Sequence, residues 1–206
     1  MGAAARGGGV DGKTTDMPAK VLAFSGSSRK GSLNKKLLAI AVGEGRALGA
    51  DITEIDLRDF NLPIYDGDIE AKGWPEGMLR LRALFHQHNA LLIVTPEYNG
   101  GVAPLTKNAI DWVSRPCNGD PTCAVMAGKV AAILSASAGP VGGSRQQAHL
   151  RVSCQVMRVI LVPETVHIAF AEKAFNEDGL LVDKAVHNAA ALAVRRLVEL
   201  ANKLNP

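Results

Sequence analysis

Short apolar runs alternate along this chain with longer stretches that mix apolar and polar residues. Lys20 is followed by Val-Leu-Ala-Phe, and the segment from Ala90 to Thr95 stays apolar almost throughout until Pro96 ends it. Uninterrupted apolar runs of this length are typical of strands buried on both faces of a sheet. In the stretches between them, apolar residues recur every three or four positions, which is the spacing of amphipathic helices. The pattern therefore predicts alternating strands and helices.

This alternation predicts one α/β domain built on a single parallel sheet with helices on both faces. We predict strands over residues 20–24, 52–57, 90–95, 130–134 and 165–169. We predict helices over residues 32–49, 75–88, 105–114, 142–158 and 181–204. Residues 1–19 are rich in Gly and Ala and carry no periodic apolar pattern, so we expect a flexible extension there and a domain over 20–206.

Charge and composition narrow the classes of partner. The chain has 206 residues and a formal net charge of +3, from 23 basic and 20 acidic residues. This near-balance gives no electrostatic reason to expect nucleic acid or an anionic membrane as a partner. No apolar run reaches the roughly 18 residues that cross a bilayer, and the start lacks the features of a signal peptide. We therefore expect a cytoplasmic protein that binds a small, anionic ligand.

Cysteines and histidines do not form the spacings of a metal centre. The three cysteines, Cys117, Cys123 and Cys154, include no CxxC pair, and the five histidines are scattered over different predicted elements. We expect the cysteines to be structural or incidental thiols, and we expect no metal site.

The loop after the first strand has the composition of a phosphate site. It reads Gly-Ser-Ser-Arg-Lys-Gly-Ser-Leu-Asn over residues 26–34 and opens a predicted helix. Backbone N–H groups at a helix N-terminus bind anions, and a nearby arginine adds a charge-assisted contact. The GxxxxGK[ST] and GxGxxG spacings of other nucleotide folds are absent, so a monophosphate is the better ligand. A simpler interpretation is that Ser32 and Asn34 only cap the helix.

The loop after the third strand is expected to lie beside the first. In a flavodoxin-like three-layer sandwich, the five-stranded parallel sheet has the order 2-1-3-4-5, and ligands bind between the first and third strands. The second loop reads Pro-Glu-Tyr-Asn-Gly-Gly over residues 96–101, where Asn99-Gly100 is a turn signal and glycine allows close approach of a flat ligand. Turn chemistry alone also explains this loop.

Together these segments resemble the NAD(P)H-dependent FMN reductase family, which includes bacterial quinone and chromate reductases. The similarity extends over about residues 21–170. It is carried by the two loops, by Lys-Asn-Ala-Ile-Asp-Trp at 107–112 and by Gly-Gly-Ser-Arg at 142–145. The chain departs from the family pattern at 103–106 and in a longer loop at 118–126, which bears on acceptor preference.

The resemblance implies where FMN binds. The residues implied to hold the FMN phosphate are Ser27, Arg29, Ser32, Leu33 and Asn34. Those implied to line the isoalloxazine ring are Pro96, Glu97, Tyr98, Asn99, Gly100, Ala136 and Ser137. No side chain is implied to be a nucleophile or a catalytic acid, because flavin N5 accepts the hydride and the cofactor carries the chemistry.

The implied reaction has two steps: NADPH or NADH reduces FMN and leaves, and a small acceptor such as a quinone, FMN, chromate or an azo compound is then reduced. The family also implies a homodimer or homotetramer built through helices beside the flavin. Two other functions stay open: a flavodoxin-like FMN electron carrier, and a non-catalytic module that binds an anion at the first loop. The sequence does not choose between NADH and NADPH.

Overall fold

Parallel strands form the centre of the fold, which a computed structural model describes over residues 18–204. The strands are β1 (Lys20–Ser25), β2 (Asp51–Asp56), β3 (Ala90–Val94), β4 (Glu97–Tyr98), β5 (Gly101–Val102), β6 (Val130–Ala136), β7 (Ile160–Leu161) and β8 (Val166–Ile168). The main sheet has the order β2-β1-β3-β6, and both β7 and β8 pair with β6 at its outer edge. All of its pairings are parallel, so the predicted order 2-1-3-4-5 is confirmed.

Helices cover both faces of this sheet. They are α1 (Leu33–Ala47), α2 (Gly67–Lys72), α3 (Glu76–Gln87), α4 (Pro104–Val113), α5 (Ser144–Val156) and α6 (Lys184–Leu204). Alternate residues of β1 face opposite sides: Val21 and Ala23 pack with α1 and α6, whereas Leu22 and Phe24 pack with α3, α4 and α5. The three-layer sandwich is therefore confirmed, with one apolar core on each side of the sheet.

The fifth strand position differs from the prediction of one strand over 165–169. β7 pairs with the first residues of β6, and β8 pairs with its last three residues, Leu134 to Ala136. Pro163 lies between the two short strands, and it has no N–H with which to continue a hydrogen-bond ladder. The position in the sheet was predicted correctly, but two strands occupy it.

Several elements differ from the prediction in existence or in bounds. α2 has no buried residue, so it lacks the apolar periodicity from which a helix is predicted. β4 and β5 have two residues each and form an antiparallel hairpin around Asn99-Gly100, so the turn was predicted but the two short strands were not. α6 begins at Lys184 rather than at Leu181, because Leu181 forms an antiparallel bridge with Phe175.

The amino-terminal boundary of the domain also needs correction. Ala19, which we assigned to the flexible extension, is completely buried, and its carbonyl accepts the N–H of Asp51 at 2.9 Å. Ala19 therefore belongs to the sheet. Residues 1–17 of the predicted extension lie outside the described part of the chain. Within residues 18–204, no helix combines the length and the apolar character that crossing a bilayer requires.

Candidate functional site

A cavity of about 480 Å³ opens where β1, β3 and β6 end. Its volume lies within the roughly 300–1,000 Å³ of small-molecule sites. The lining residues are Ser27, Arg29, Gly31, Ser32, Leu33, Asn34, Pro96, Glu97, Tyr98, Ala136, Ser137, Ala138 and Glu172. Ten of the twelve predicted site residues are among them, because the strand order places the loops after β1, β3 and β6 side by side.

The start of α1 forms one end of the cavity. Ser32 caps this helix, since its Oγ accepts the N–H groups of Asn34 at 3.1 Å and Lys35 at 3.3 Å. The N–H of Leu33, the first residue of the helix, has no acceptor within residues 18–204. Ser32 therefore caps the helix, and the Leu33 N–H stays unpaired and available to an anion.

Ser27 and Arg29 add a hydroxyl and a positive charge to the same end. Ser27 is buried, and its Oγ accepts the N–H of Arg29 at 3.4 Å. The Arg29 side chain is exposed and makes no ion pair in the described part of the chain. An unpaired guanidinium beside free backbone donors fits a phosphate monoester.

The Asn34 side chain links two elements of the fold, a structural role that the sequence motif did not predict. Its Nδ2 donates to the carbonyl of Ala136 at 2.8 Å, and its Oδ1 accepts the N–H of Ala136 at 3.0 Å. The side chain thus joins α1 to the end of β6 and holds two walls of the cavity together. The second N–H of Nδ2 is left as a side-chain donor for a ligand.

Gly26 lets the first loop pass close to the third strand. The hydroxyls of Thr95 and Thr106 hydrogen-bond to each other at 2.7 Å directly beside it. A Cβ at position 26 would clash with both hydroxyl oxygens. The N–H of Gly26 also donates to the carbonyl of Val94 at 2.9 Å, so the two loops are held in register where the strands end.

Glu97 turns its carboxylate away from the cavity and toward α5. Its Oε2 accepts the N–H groups of Arg145 at 3.1 Å and Gln146 at 3.3 Å, and its Oε1 lies 3.3 Å from the Arg145 guanidinium. The Glu97 side chain is only 8 % exposed. A carboxylate is stabilised at a helix N-terminus. Glu97 therefore fixes the second loop to α5, a contact between distant segments that the sequence did not indicate.

Asn99 and Gly100 do not line the cavity. They form the turn between β4 and β5 and have positive φ angles of 51° and 77°. This turn holds Tyr98 at the cavity wall. In this structure the two residues shape the loop, and their contact with a flat ligand stays a prediction.

Two further glycines allow α5 to begin close to β6. Gly142 and Gly143 have φ angles of 62° and 92°, and a Cβ on Gly143 would lie 2.7 Å from the Ser135 hydroxyl oxygen. That hydroxyl donates to the carbonyl of Gly142 at 2.7 Å. The glycine pair recognised in the sequence therefore has a packing function beside the site.

Three lining residues were missed. Gly31 and Ala138 adjoin predicted positions, so extending each motif by one residue would have included them. Glu172 belongs to a short 3-10 turn, Ala171–Lys173, and comes from a part of the chain with no motif. Within residues 18–204, no three His, Cys, Asp or Glu side chains converge as metal ligands.

Comparison with known proteins gives a consistent result. The family model described as NADPH-dependent FMN reductase matches residues 19–173. An NAD(P)H-dependent FMN reductase of Pseudomonas aeruginosa is 40% identical over 188 residues, which cover 86% of this chain and 96% of that protein. An NAD(P)H:quinone oxidoreductase of Solanum tuberosum is 35% identical over 191 residues, covering 90% and 94%.

A solved structure supports the same assignment. FerB, a flavoenzyme NAD(P)H:(acceptor) oxidoreductase from Paracoccus denitrificans, is 29% identical and superposes with a TM-score of 0.74, covering 90% of this chain and 98% of that one. The family model covers most of the domain, and its range includes every lining residue of the cavity. The chain belongs to the NADPH-dependent FMN reductase family.

Proposed function

We propose that this protein is an FMN-dependent NAD(P)H oxidoreductase that reduces small acceptors, quinones above all. The observation that carries this proposal is the cavity at the ends of β1, β3 and β6, which places the unpaired Leu33 N–H at the start of α1 beside the loop around Tyr98. Relatives in the same family act as FMN reductases and quinone oxidoreductases.

Different residues would bind the phosphate and the ring of FMN. The Leu33 N–H, the Ser27 hydroxyl and the Arg29 guanidinium would bind the phosphate. Pro96, Tyr98, Ala136 and Ser137 would line the flat ring, and Asn99 and Gly100 would act through the turn that supports Tyr98. The chemistry that bound FMN would supply is hydride transfer from NAD(P)H to the acceptor. The protein's own task is to bind and orient, which explains why no catalytic triad is needed.

An FMN electron carrier would use the same cavity without turning over NAD(P)H. We therefore expect the FMN-loaded protein to oxidise NADPH or NADH continuously when a naphthoquinone is present, with hydroquinone formed in equal amount. Absorbance at the reduced-nicotinamide band measures this rate. Retained FMN with no steady-state oxidation of either nucleotide would favour the carrier, and failure to retain FMN would favour the anion-binding module.

We also propose that the protein is a homo-oligomer, and α5 offers the best surface. The apolar residues of α4, including Ala109, Ile110 and Trp112, are buried within the protomer, so α4 leaves little apolar area for a partner. On α5, Val152 and Val156 are 60% and 75% exposed and lie one turn apart. A second copy of the same helix would cover both residues in a two-fold contact.

A cytoplasmic location is part of the same proposal. NAD(P)H is an intracellular reductant, and all three cysteines are free thiols, with Cys117 and Cys154 buried. Reducing compartments keep thiols in this state. Cell fractionation with an antibody against the protein tests this location, and recovery in the soluble cytoplasmic fraction is the expected result.

A further inference from the structure

Glu172 lines the candidate FMN cavity from a segment that carries no motif, and its side chain is exposed. Within residues 18–204 its carboxylate has no hydrogen bond or ion pair, whereas Glu97, the other carboxylate of the lining, is bonded to α5. Building on the proposed function, we propose that Glu172 accepts hydrogen bonds from the ribityl hydroxyls of FMN and thereby selects flavins that carry this polyol chain.

The turn that carries Glu172 is fixed to the loop after β6. The N–H of Ala171 donates to the carbonyl of Ser137 at 2.9 Å, and the N–H of Phe170 donates to the carbonyl of Gly139 at 3.1 Å. Ser137 lines the same cavity. The backbone therefore holds Glu172 at the cavity wall, and its carboxylate stays free for a ligand.

The same segment also reaches the first turns of α1, where the phosphate would bind. Lys36 on α1 places its Nζ 5.8 Å from the centre of the Phe175 ring. Leu33, Ala174 and Phe175 pack against one apolar core cluster. The turn with Glu172 thus lies between the end of β6 and the start of α1. The ribityl chain has to span the same interval, because it joins the phosphate of FMN to the ring.

Phe170, which precedes this turn, has a strained backbone. Its φ angle of 47° lies in the left-handed region and is an outlier for a large aromatic residue. The Phe170 side chain is 60% exposed, so burial of its ring does not explain this conformation. Strained backbone is concentrated at functional sites, where the surrounding bonds hold it in place. The strain at Phe170 therefore supports a turn that presents Glu172 to a ligand.

Other polar side chains of the cavity are mainly hydrogen-bond donors. The hydroxyl oxygens of Ser27, Ser32 and Ser137 already accept backbone N–H groups, which leaves each O–H to donate. The guanidinium of Arg29 has donors alone. These groups suit a phosphate, whose oxygens accept hydrogen bonds. The ribityl hydroxyls are donors themselves and need acceptors, and the free oxygens of Glu172 supply them.

Charge assigns the Glu172 carboxylate to the polyol rather than to the phosphate. Among the described residues that line the cavity, Arg29 is the only cation, so a carboxylate facing the phosphate would oppose its binding by like-charge repulsion. A hydrogen bond from a hydroxyl to a carboxylate is charge-assisted and stronger than one between neutral groups. Glu172 therefore favours a neutral polyol at this wall and disfavours a second anionic group there.

The test compares FMN with an analogue whose ribityl chain is replaced by an unsubstituted phosphopentyl chain, so that the ring and the phosphate stay and the hydroxyls are lost. Flavin fluorescence gives both dissociation constants for the full-length protein without turnover. The unmodified protein should bind FMN more tightly than the analogue. Glu172→Ala should weaken FMN binding roughly tenfold, the effect of losing a hydrogen bond to a charged group, and should leave the affinity for the analogue unchanged. Glu172→Gln keeps an acceptor oxygen and should lose less.

The matched controls are Glu177→Ala and Glu177→Gln, because Glu177 is an exposed carboxylate close to Glu172 in the chain and does not line the cavity. Both should bind FMN and the analogue as the unmodified protein does. The urea denaturation midpoint of Glu172→Ala should also equal that of the unmodified protein, since the Glu172 side chain has no bond within residues 18–204 to lose.

Three results would overturn the proposal. Tighter FMN binding by Glu172→Ala would show that the carboxylate faces the phosphate, and unchanged FMN affinity in both Glu172 variants would show that it contacts only solvent. Equal weakening for FMN and the analogue would show that Glu172 does not recognise the hydroxyls. Failure of the proposed function is distinguishable: an unmodified protein that binds no flavin ends both proposals, and one whose bound FMN neither nucleotide reduces ends the proposed function alone.

Discussion

Arg29 lines the candidate FMN cavity with a charge that no ion pair of the described residues neutralises. It is exposed and makes no ion pair with the described residues, so its replacement should leave stability nearly unchanged. We predict that Arg29→Ala weakens FMN binding by about 1.5–3 kcal/mol, the value of a hydrogen bond to a charged group. Titration of FMN fluorescence measures the dissociation constant.

Arg195→Ala is the control for this change, because Arg195 is an exposed cation on α6. It removes the same charge from the protein at a distance from the cavity. An equal loss of FMN affinity in both variants would mean that net charge alone matters, and unchanged affinity in Arg29→Ala would remove Arg29 from the site.

Glu97 should matter for stability through α5. We predict that Glu97→Ala lowers the free energy of unfolding by about 1–2 kcal/mol, since it leaves two N–H groups of the helix start without their acceptor. Glu97→Gln keeps an acceptor oxygen and should cost less. Urea denaturation at neutral pH measures both. Equal stability of all three proteins would contradict the capping role.

Residues within a local motif were predictable, and residues that act across the chain were not. Ser32 and Arg29 stand in one short segment whose composition indicates an anion site. The bond between Asn34 and Ala136 joins residues 102 positions apart, and Glu97 meets Arg145 over 48 positions. Such contacts depend on the strand order, which places the loops side by side only in the folded state.

An ion-pair cluster joins three elements near the candidate FMN cavity, since Lys35 directly follows the lining residue Asn34. Asp56 ends β2 and lies 2.7 Å from both Lys35 on α1 and Arg58 in the 3-10 turn Leu57–Phe60. The hydrogen bonds from Arg58, followed by that from Lys35, lower the pKa of Asp56 well below its ordinary value, against the opposing effect of desolvation. The ionised form is therefore favoured by folding.

A lowered folded-state pKa gives stability that is present above the unfolded pKa and is lost as the pH falls through the folded pKa. We predict that Asp56→Asn is less stable than the unmodified protein at pH 7 by about 1 kcal/mol, as expected for a largely solvated pair. The difference should narrow as the pH drops below about 4, the ordinary aspartate pKa. Urea denaturation midpoints of both proteins, measured between about pH 7 and pH 3, report this difference in stability.

Asp59→Asn serves as the control, because Asp59 lies in the same 3-10 turn and its side chain is exposed. The free energy of unfolding of Asp59→Asn should equal that of the unmodified protein at every pH. A constant difference between Asp56→Asn and the unmodified protein down to acidic pH would contradict the ion-pair account.

Whether an element could be predicted depended on how much apolar surface it buries. α1 and α6 bury residues at regular helical spacing, and both were predicted within a few residues. α2 buries none, and the hairpin of β4 and β5 is too short to show alternation. β8 was predicted, whereas β7 has two residues and is separated from β8 by Pro163, so it shows no strand pattern of its own.

At the scale of the whole molecule, the exposed face of α5 should decide the oligomeric state. We predict that the unmodified protein is at least a dimer in solution and that Val152→Glu with Val156→Glu produces a monomer, because two charges would be buried in the contact. Multi-angle light scattering gives the mass directly. Leu192→Glu on α6 is the control and should keep the oligomer, and a monomeric unmodified protein would contradict the proposed assembly.

The overall architecture was predictable because the longer strands β1, β2, β3 and β6 are each followed by a helix that returns the chain to the same end of the sheet. Right-handed crossovers and the buried, fully apolar third strand leave few topologies for such a chain, and the carboxyl edge between β1 and β3 is then the expected ligand position. That Glu172 lines the cavity was not predictable, since backbone bonds from Phe170 and Ala171 bring its turn to the loop after β6 only in the folded chain.

The central claim is that the cavity between β1, β3 and β6 holds an FMN that NAD(P)H reduces. The most direct measurement is the visible spectrum of the protein after addition of FMN and desalting, followed by anaerobic addition of NADPH and then of NADH. We predict that a yellow protein is recovered and that at least one nucleotide bleaches it. A colourless protein after desalting, or a flavin that neither nucleotide reduces, would contradict the account.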